Sequence, residues 1–143
     1  MLVRLMYTSR AAEGVDTEEL GNILRQSKAH NPRHGITGVL CLCPTERIFI
    51  QLIEGGRAAV NRLYLRLAGD PRHGDLVLLH YSEIVERRFA GWSMGQANLA
   101  RLNPALLLKY SETSALDPYE QSGAVTMALF EELVATASIV GQS

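Results

Sequence analysis

The segment Arg47-Ile-Phe-Ile-Gln-Leu-Ile-Glu54 constrains the fold more than any other stretch of the chain. Successive side chains of a strand point to opposite faces. Phe49, Gln51 and Ile53 therefore share one face, and Ile48, Ile50 and Leu52 share the other. Both faces are apolar, so the strand and its single amide read as covered. The stretch before it, Gly35-Ile-Thr-Gly-Val-Leu-Cys-Leu-Cys43, is a second apolar strand, and Pro44-Thr-Glu46 is a turn, so the two strands form a hairpin. Leu2 to Ser9 is an earlier strand. Asp16-Thr-Glu-Glu19 starts a helix, with a capping side chain followed by acids in the first turn. Leu20, Ile23 and Leu24 recur at helical spacing, and Pro32 stops the helix near His30.

Gly55-Gly56 breaks the third strand. A second helix runs from about Ala58 to Ala68, with Val60, Leu63, Tyr64 and Leu67 on one face, and Gly69-Asp70-Pro71 ends it. Leu76 to Tyr81 is a fourth strand, and Trp92 to Leu99 a fifth, with Trp92 and Met94 on one face of it. The order βαββαβ plus one strand is the α+β, ferredoxin-like split βαβ arrangement, with two helices packed on one sheet face. Residues 1–100 form that domain, and 101–143 form a helical extension. In the extension, Pro104 to Leu108 is a short helix and Asp117-Pro118 restarts a longer one reaching about Ile139. Val125, Leu129 and Leu133, with Phe130 and Val134 beside them, form its apolar stripe, and Glu120, Glu131 and Glu132 mark a wetter side. The stripe has to pack on the sheet's other face, on a neighbouring subunit, or on both. Gly-Gln-Ser143 frays.

Composition removes several function classes. Lys and Arg number 14 and Asp and Glu 15, a net charge of −1, so no basic footprint for nucleic acid is present. No apolar run reaches the ~18 residues of a membrane span. The first residues enter a strand rather than a signal peptide. Cys41 and Cys43 point the same way on one strand and read as buried free thiols. His30, His34, His73 and His80 complete no zinc spacing. The expected location is the cytoplasm.

The candidate chemical residues are polar groups on apolar elements. Tyr7 lies within Leu-Met-Tyr-Thr-Ser, Gln51 within the two-faced third strand, and Asn31 at the end of the first helix. A buried Gln needs partners for its donors and acceptors. Asn31 can act simply as a polar helix cap. Trp92 and Met94 suit core packing, and Arg72 and His73 read as solvated loop residues.

Six blocks then occur in order: Tyr7-Thr-Ser9, Ser27-Lys-Ala-His-Asn31, Gly35-Ile-Thr-Gly38, Phe49-Ile-Gln-Leu-Ile-Glu-Gly55, Asp70-Pro-Arg-His73 and Arg88-Phe-Ala-Gly-Trp-Ser-Met94. Together they resemble a BLUF domain, the blue-light sensor that uses flavin, over about residues 1–100. The tail resembles that of short, stand-alone members. The resemblance implies a non-covalent flavin lying between the two helices on the sheet, with FAD first and FMN or riboflavin as alternatives. It implies a photoactive relay of Tyr7 and Gln51, modulated by Trp92 and Met94, and leaves open which of those two lies beside Gln51. It assigns Asn31 to the carbonyl edge of the ring. Ser9, Arg33, Arg72 and His73 fall to the pocket lining or the phosphate side, and Ile23 and Leu24 to the ring face.

These residue types suit that ligand. Aliphatic faces match an apolar ring, and amides match an edge that both donates and accepts. The resulting expectation is a photoreceptor rather than an enzyme, with no metal. It forms a homo-oligomer and signals to a separate response-regulator-like protein. The rival readings are a small flavin-dependent oxidoreductase and a cofactor-free ferredoxin-like oligomerisation module. Against the first, Tyr7 and Gln51 are poor general bases near neutral pH.

Overall fold

The computed structural model describes residues 1–43, 46–136 and 138–141, with the side chain at position 17 left aside. Pro44 and Thr45 of the expected turn, and Gln142 and Ser143 of the expected frayed end, lie outside the described residues. The elements are β1 (Leu2–Ala11), α1 (Thr17–His30), β2 (Thr37–Cys43), β3 (Ile48–Gly56), α2 (Arg57–Ala68), β4 (His73–Ile84), β5 (Gly95–Asn98), α3 (Pro104–Leu108) and α4 (Gly123–Ala135). Short 3-10 turns occupy Asn31–His34 and Leu99–Arg101. The five strands form one mixed sheet in the order β4-β1-β3-β2-β5, in which β5 runs parallel to β2 and the other neighbours are antiparallel. This is the ferredoxin-like α+β fold with an added strand.

Alternation in β3 divides the core as its sequence indicates. Phe49 and Ile53 join Leu5, Leu40, Val60 and Leu63 beneath α1 and α2. Ile48, Ile50 and Leu52 join Met6, Val39 and Cys41 beneath α4, where Leu129, Phe130 and Leu133 are fully buried. The tail's apolar stripe is therefore used by the chain's own sheet. Cys41 and Cys43 are free and buried in the same layer.

Several boundaries differ from the sequence reading. Gly55 and Gly56 do not break β3: they pair with Val3 and Leu2. Gly55 is needed there for space, since a Cβ would meet Ile36 at 2.9 Å and the Gly35 carbonyl at 3.0 Å. β4 begins at His73, not Leu76, because the outer strand stays paired with β1 back to Ala11. The fifth strand is only Gly95–Asn98, and Trp92 and Met94 precede it in irregular chain. With no pleat between them, the two side chains go to opposite faces: Trp92 to the α4 layer and Met94 to the α1–α2 layer.

The long helix also starts later than Asp117-Pro118. Asp117 accepts the Tyr119 amide at 3.0 Å, a local turn. The Tyr119 hydroxyl then donates to the Asp75 carbonyl at 2.8 Å, and its ring lies under Arg10. Ser122 caps the helix through the Val125 amide. Glu120 therefore belongs to the preceding turn. At the other end α4 stops at Ala135, short of Ile139, because Val140 exchanges two 2.9 Å backbone hydrogen bonds with Gln96 at the outer edge of β5.

Candidate flavin site

A cavity of about 260 Å³ lies on the α1–α2 face of the sheet. Ile23 of α1, Leu40 of β2 and Leu63 of α2 supply aliphatic walls, while Tyr7, Gln51 and Asn31 supply polar groups. The volume is near the ~300 Å³ lower end of common ligand cavities.

Strand register creates the polar contact at its base. Tyr7 on β1 stands directly opposite Gln51 on β3, and both are buried. The Tyr7 hydroxyl donates to Gln51 Oε1. Gln51 Nε2 donates in turn to Met94 Sδ at 3.5 Å, so Met94, not Trp92, is the neighbour of the amide. Burial pushes the Tyr7 phenol well above its ordinary pKa, and Tyr64 and Asp70 add to the effect. Tyr7 is thus held as a neutral proton donor. Tyr64 and His73 pack on its ring at centroid distances of 5.8 and 6.1 Å.

The helix ends bring the remaining groups. Pro32 opens a 3-10 turn after α1, and buried Asn31 donates from Nδ2 to the Ser93 carbonyl at 2.6 Å. Asn31 therefore ties the end of α1 to the segment carrying Met94, beyond acting as a cap. His73 is a strand residue facing the core rather than a solvated one. Its Nε2 reaches the Leu67 carbonyl, an acceptor only, so in the neutral ring Nε2 carries the hydrogen and Nδ1 accepts from Ser9 Oγ at 2.7 Å. Arg72 is likewise engaged, forked on Asp70 at 3.0 and 2.6 Å and reaching Glu19 at 3.3 Å. The Arg72 hydrogen bonds hold the Asp70 carboxyl below the usual carboxylate range.

The cavity gathers Tyr7, Gln51, Asn31, Ile23, Arg72 and His73. Leu24 packs in the adjoining core, and Ser9 acts through His73. Arg33 is exposed and lies outside the lining. Trp92 packs against Phe89 on the other side of the sheet, with its indole nitrogen buried and without a hydrogen-bond partner among the described residues. Sequence reasoning missed Gln26 and Arg66, which also line the cavity. Arg66 follows Leu63 by three residues on α2, a helical spacing that shares a face and offered the available signal. Its Nη2 lies 2.7 Å from His30 Nε2, and His30 stacks on His34 at 4.1 Å.

A sequence profile described as sensors of blue-light using FAD matches residues 2–95. The chain belongs to the BLUF family. The photoactivated adenylate cyclase subunit beta of Euglena longa is 35% identical over 97 residues, which is 67% of this chain but only 11% of the cyclase. The chain thus spans about a tenth of that relative's length. Two solved BLUF structures match nearly end to end. The dark-state structure of BlrB is 31% identical, with a TM-score of 0.79, covering 95% of this chain and 96% of its own. The photo-activated structure of BlsA is 26% identical, with a TM-score of 0.85, covering 100% and 99%. This BLUF chain is a blue-light sensor of the flavin-binding kind. Among the described residues no helix is long and apolar enough to cross a membrane.

Proposed function

We propose that this BLUF chain switches through a Tyr7–Gln51–Met94 relay beside a non-covalent flavin, FAD in the first instance. The observation that carries the reading is the buried hydrogen-bonded row of these three side chains at the base of an aliphatic-walled cavity. The residues fit the group: apolar walls suit the ring faces, the Gln51 and Asn31 amides suit its polar edge, and Arg66 and Arg72 suit carbonyl or phosphate oxygens. When bound, flavin supplies the blue-light absorption and the reversible acceptance of an electron.

The chain's own side chains do the rest. Tyr7 would give up an electron to the bound flavin and its phenolic proton along the hydrogen bond to Gln51 Oε1, and both would return to the Tyr7 phenoxyl once the amide has turned, so that no net oxidation remains. Gln51 turns easily because its second partner is a thioether, a weak acceptor at 3.5 Å. Turning the amide exchanges donor for acceptor in front of Tyr7 and leaves a changed hydrogen-bond pattern without any covalent adduct. Asn31 and Ile23 hold the ring in place, and Cys41 and Cys43 take no part. Residues 1–100 carry the sensor and 101–143 the extension, which acts on a separate response-regulator-like protein from a homo-oligomer in the cytoplasm. The exposed apolar residues Val77, Leu78 and Tyr81 on the outer strand β4 support an assembly surface.

The test is an absorption spectrum of the flavin-loaded protein before and after blue light. A small red shift of the main band that reverses in darkness is expected. Bleaching to the reduced form that reverses only with added substrate overturns the reading in favour of an oxidoreductase. A colourless protein that cannot be reconstituted with flavin overturns it in favour of a cofactor-free module.

A further inference from the structure

We infer that Glu54 is a positioning residue that fixes Met94 against Gln51 by clamping, from the far end of β3, the irregular chain that carries it. The inference rests on the relay proposed above. Glu54 is fully buried, and its carboxylate takes no part in the cavity. Its Oε1 accepts from the Phe89 amide at 2.7 Å and the Arg88 amide at 3.0 Å. Its Oε2 accepts from Arg4 Nε at 2.8 Å, with Arg4 Nη2 at 2.7 Å. One carboxylate thus anchors two consecutive backbone amides of the segment after β4 and is itself held by a cation from β1.

A second strut acts on the same segment. Arg87 donates to Thr37 Oγ1 at 3.0 Å and to the Gly35 carbonyl at 2.7 Å. Both struts lie five or more residues before Met94, and the chain between is pinned at Phe89, Trp92 and Ser93. The Trp92 amide donates to the Phe89 carbonyl at 3.3 Å, and the Trp92 carbonyl accepts from Gly38 at 2.9 Å. The Ser93 carbonyl accepts from Asn31, and Met94 Sδ accepts from Gln51. A segment without helix or ladder has to find acceptors for its buried amides elsewhere. Here Glu54 provides them, so the position of Met94 depends on a group on the same strand as Gln51 but on the opposite face.

The experiment uses the full chain as Glu54→Gln, Met94→Ala and the double variant. Glutamine keeps the shape but replaces one charged acceptor with a donor facing Arg4. Flavin content should match the parent, since Glu54 lies outside the cavity. Amide exchange by mass spectrometry over 86–94 should accelerate about ten-fold, the ratio for the loss of one net hydrogen bond. Dark recovery should quicken by about three-fold or more, because a loosened Met94 hinders Gln51 less. The double variant should recover like Met94→Ala alone, the non-additivity expected when one residue acts through another. Unchanged exchange, unchanged recovery, or effects of the two substitutions that multiply would each overturn the inference. If the parent shows no reversible shift, the relay reading fails, and the exchange measurement alone judges the clamp by the same criterion. Should Glu54→Gln not fold, Glu54→Asp, which keeps the charge but draws it back from the Arg88 and Phe89 amides, takes its place in both measurements.

Discussion

Tyr7 and Gln51 face each other because β1 and β3 are neighbours in an antiparallel register, so a single pair of side chains connects the two central strands across the cavity floor. Asn31 connects a helix end to the Met94 segment. Replacing it with alanine removes a cavity-lining amide, and flavin affinity should fall by roughly 1–3 kcal/mol. Fluorescence titration of the apoprotein measures this, and an unchanged Kd would exclude Asn31 from the ring edge. The Asp70–Arg72 fork makes stability depend on pH. The Arg72 hydrogen bonds hold the folded-state pKa of Asp70 below the usual carboxylate range. Its contribution is therefore present in full above the unfolded value and is lost as pH falls through the folded one. Asp70→Asn should be less stable than the parent near neutrality, with the difference narrowing below about pH 4. Denaturant melts at several pH values read this directly, and a gap that widens on acidification would contradict it.

At the scale of elements, α4 lies on the sheet through a close backbone approach at Gly123. A Cβ there would come within 1.8 Å of the Leu79 carbonyl oxygen on β4. Alanine normally favours a helix over glycine by about 1 kcal/mol. At this position the sign should reverse, and Gly123→Ala should lower the melting temperature in a thermal scan. A raised or unchanged value would mean that α4 does not rest on β4 in this way. The elements themselves were largely legible in the sequence: the alternation of β3 fixed its two faces, Asp16 and Pro32 bounded α1, and Pro104 to Leu108 formed a helix as read. The boundaries that shifted are those set by partners distant in sequence. Gly55 and Gly56 stay in β3 because β1 pairs with them, and Ser122 starts α4 because Asp117 is occupied by a turn. Alternation placed Trp92 and Met94 on one face, which fails where the chain is not a strand. Glu54 was invisible as an anchor because its partners are backbone amides about 35 residues later, and Arg66 because its spacing from Leu63 mattered only once a cavity lay beside α2.

At the scale of the molecule, the sheet separates two layers with different tasks. One layer holds the cavity between α1 and α2, and the other buries α4. The Met94 segment and β5 border both, since Val140 pairs with Gln96 just after Met94 contacts Gln51. A rearranged amide at Gln51 therefore has a short path to the tail. The tail is also part of the core: Leu129→Ala should cost about 2–5 kcal/mol of stability, measured by denaturant unfolding, and a loss below 1 kcal/mol would show that α4 is loosely docked. Whether Tyr7 donates through Gln51 is read from the light-minus-dark visible difference spectrum of flavin-loaded Tyr7→Phe, recorded beside the parent and Gln51→Leu. Both flavin-loaded variants should lose the reversible red shift, whereas a full red shift in Tyr7→Phe would show that the proton does not pass along this row.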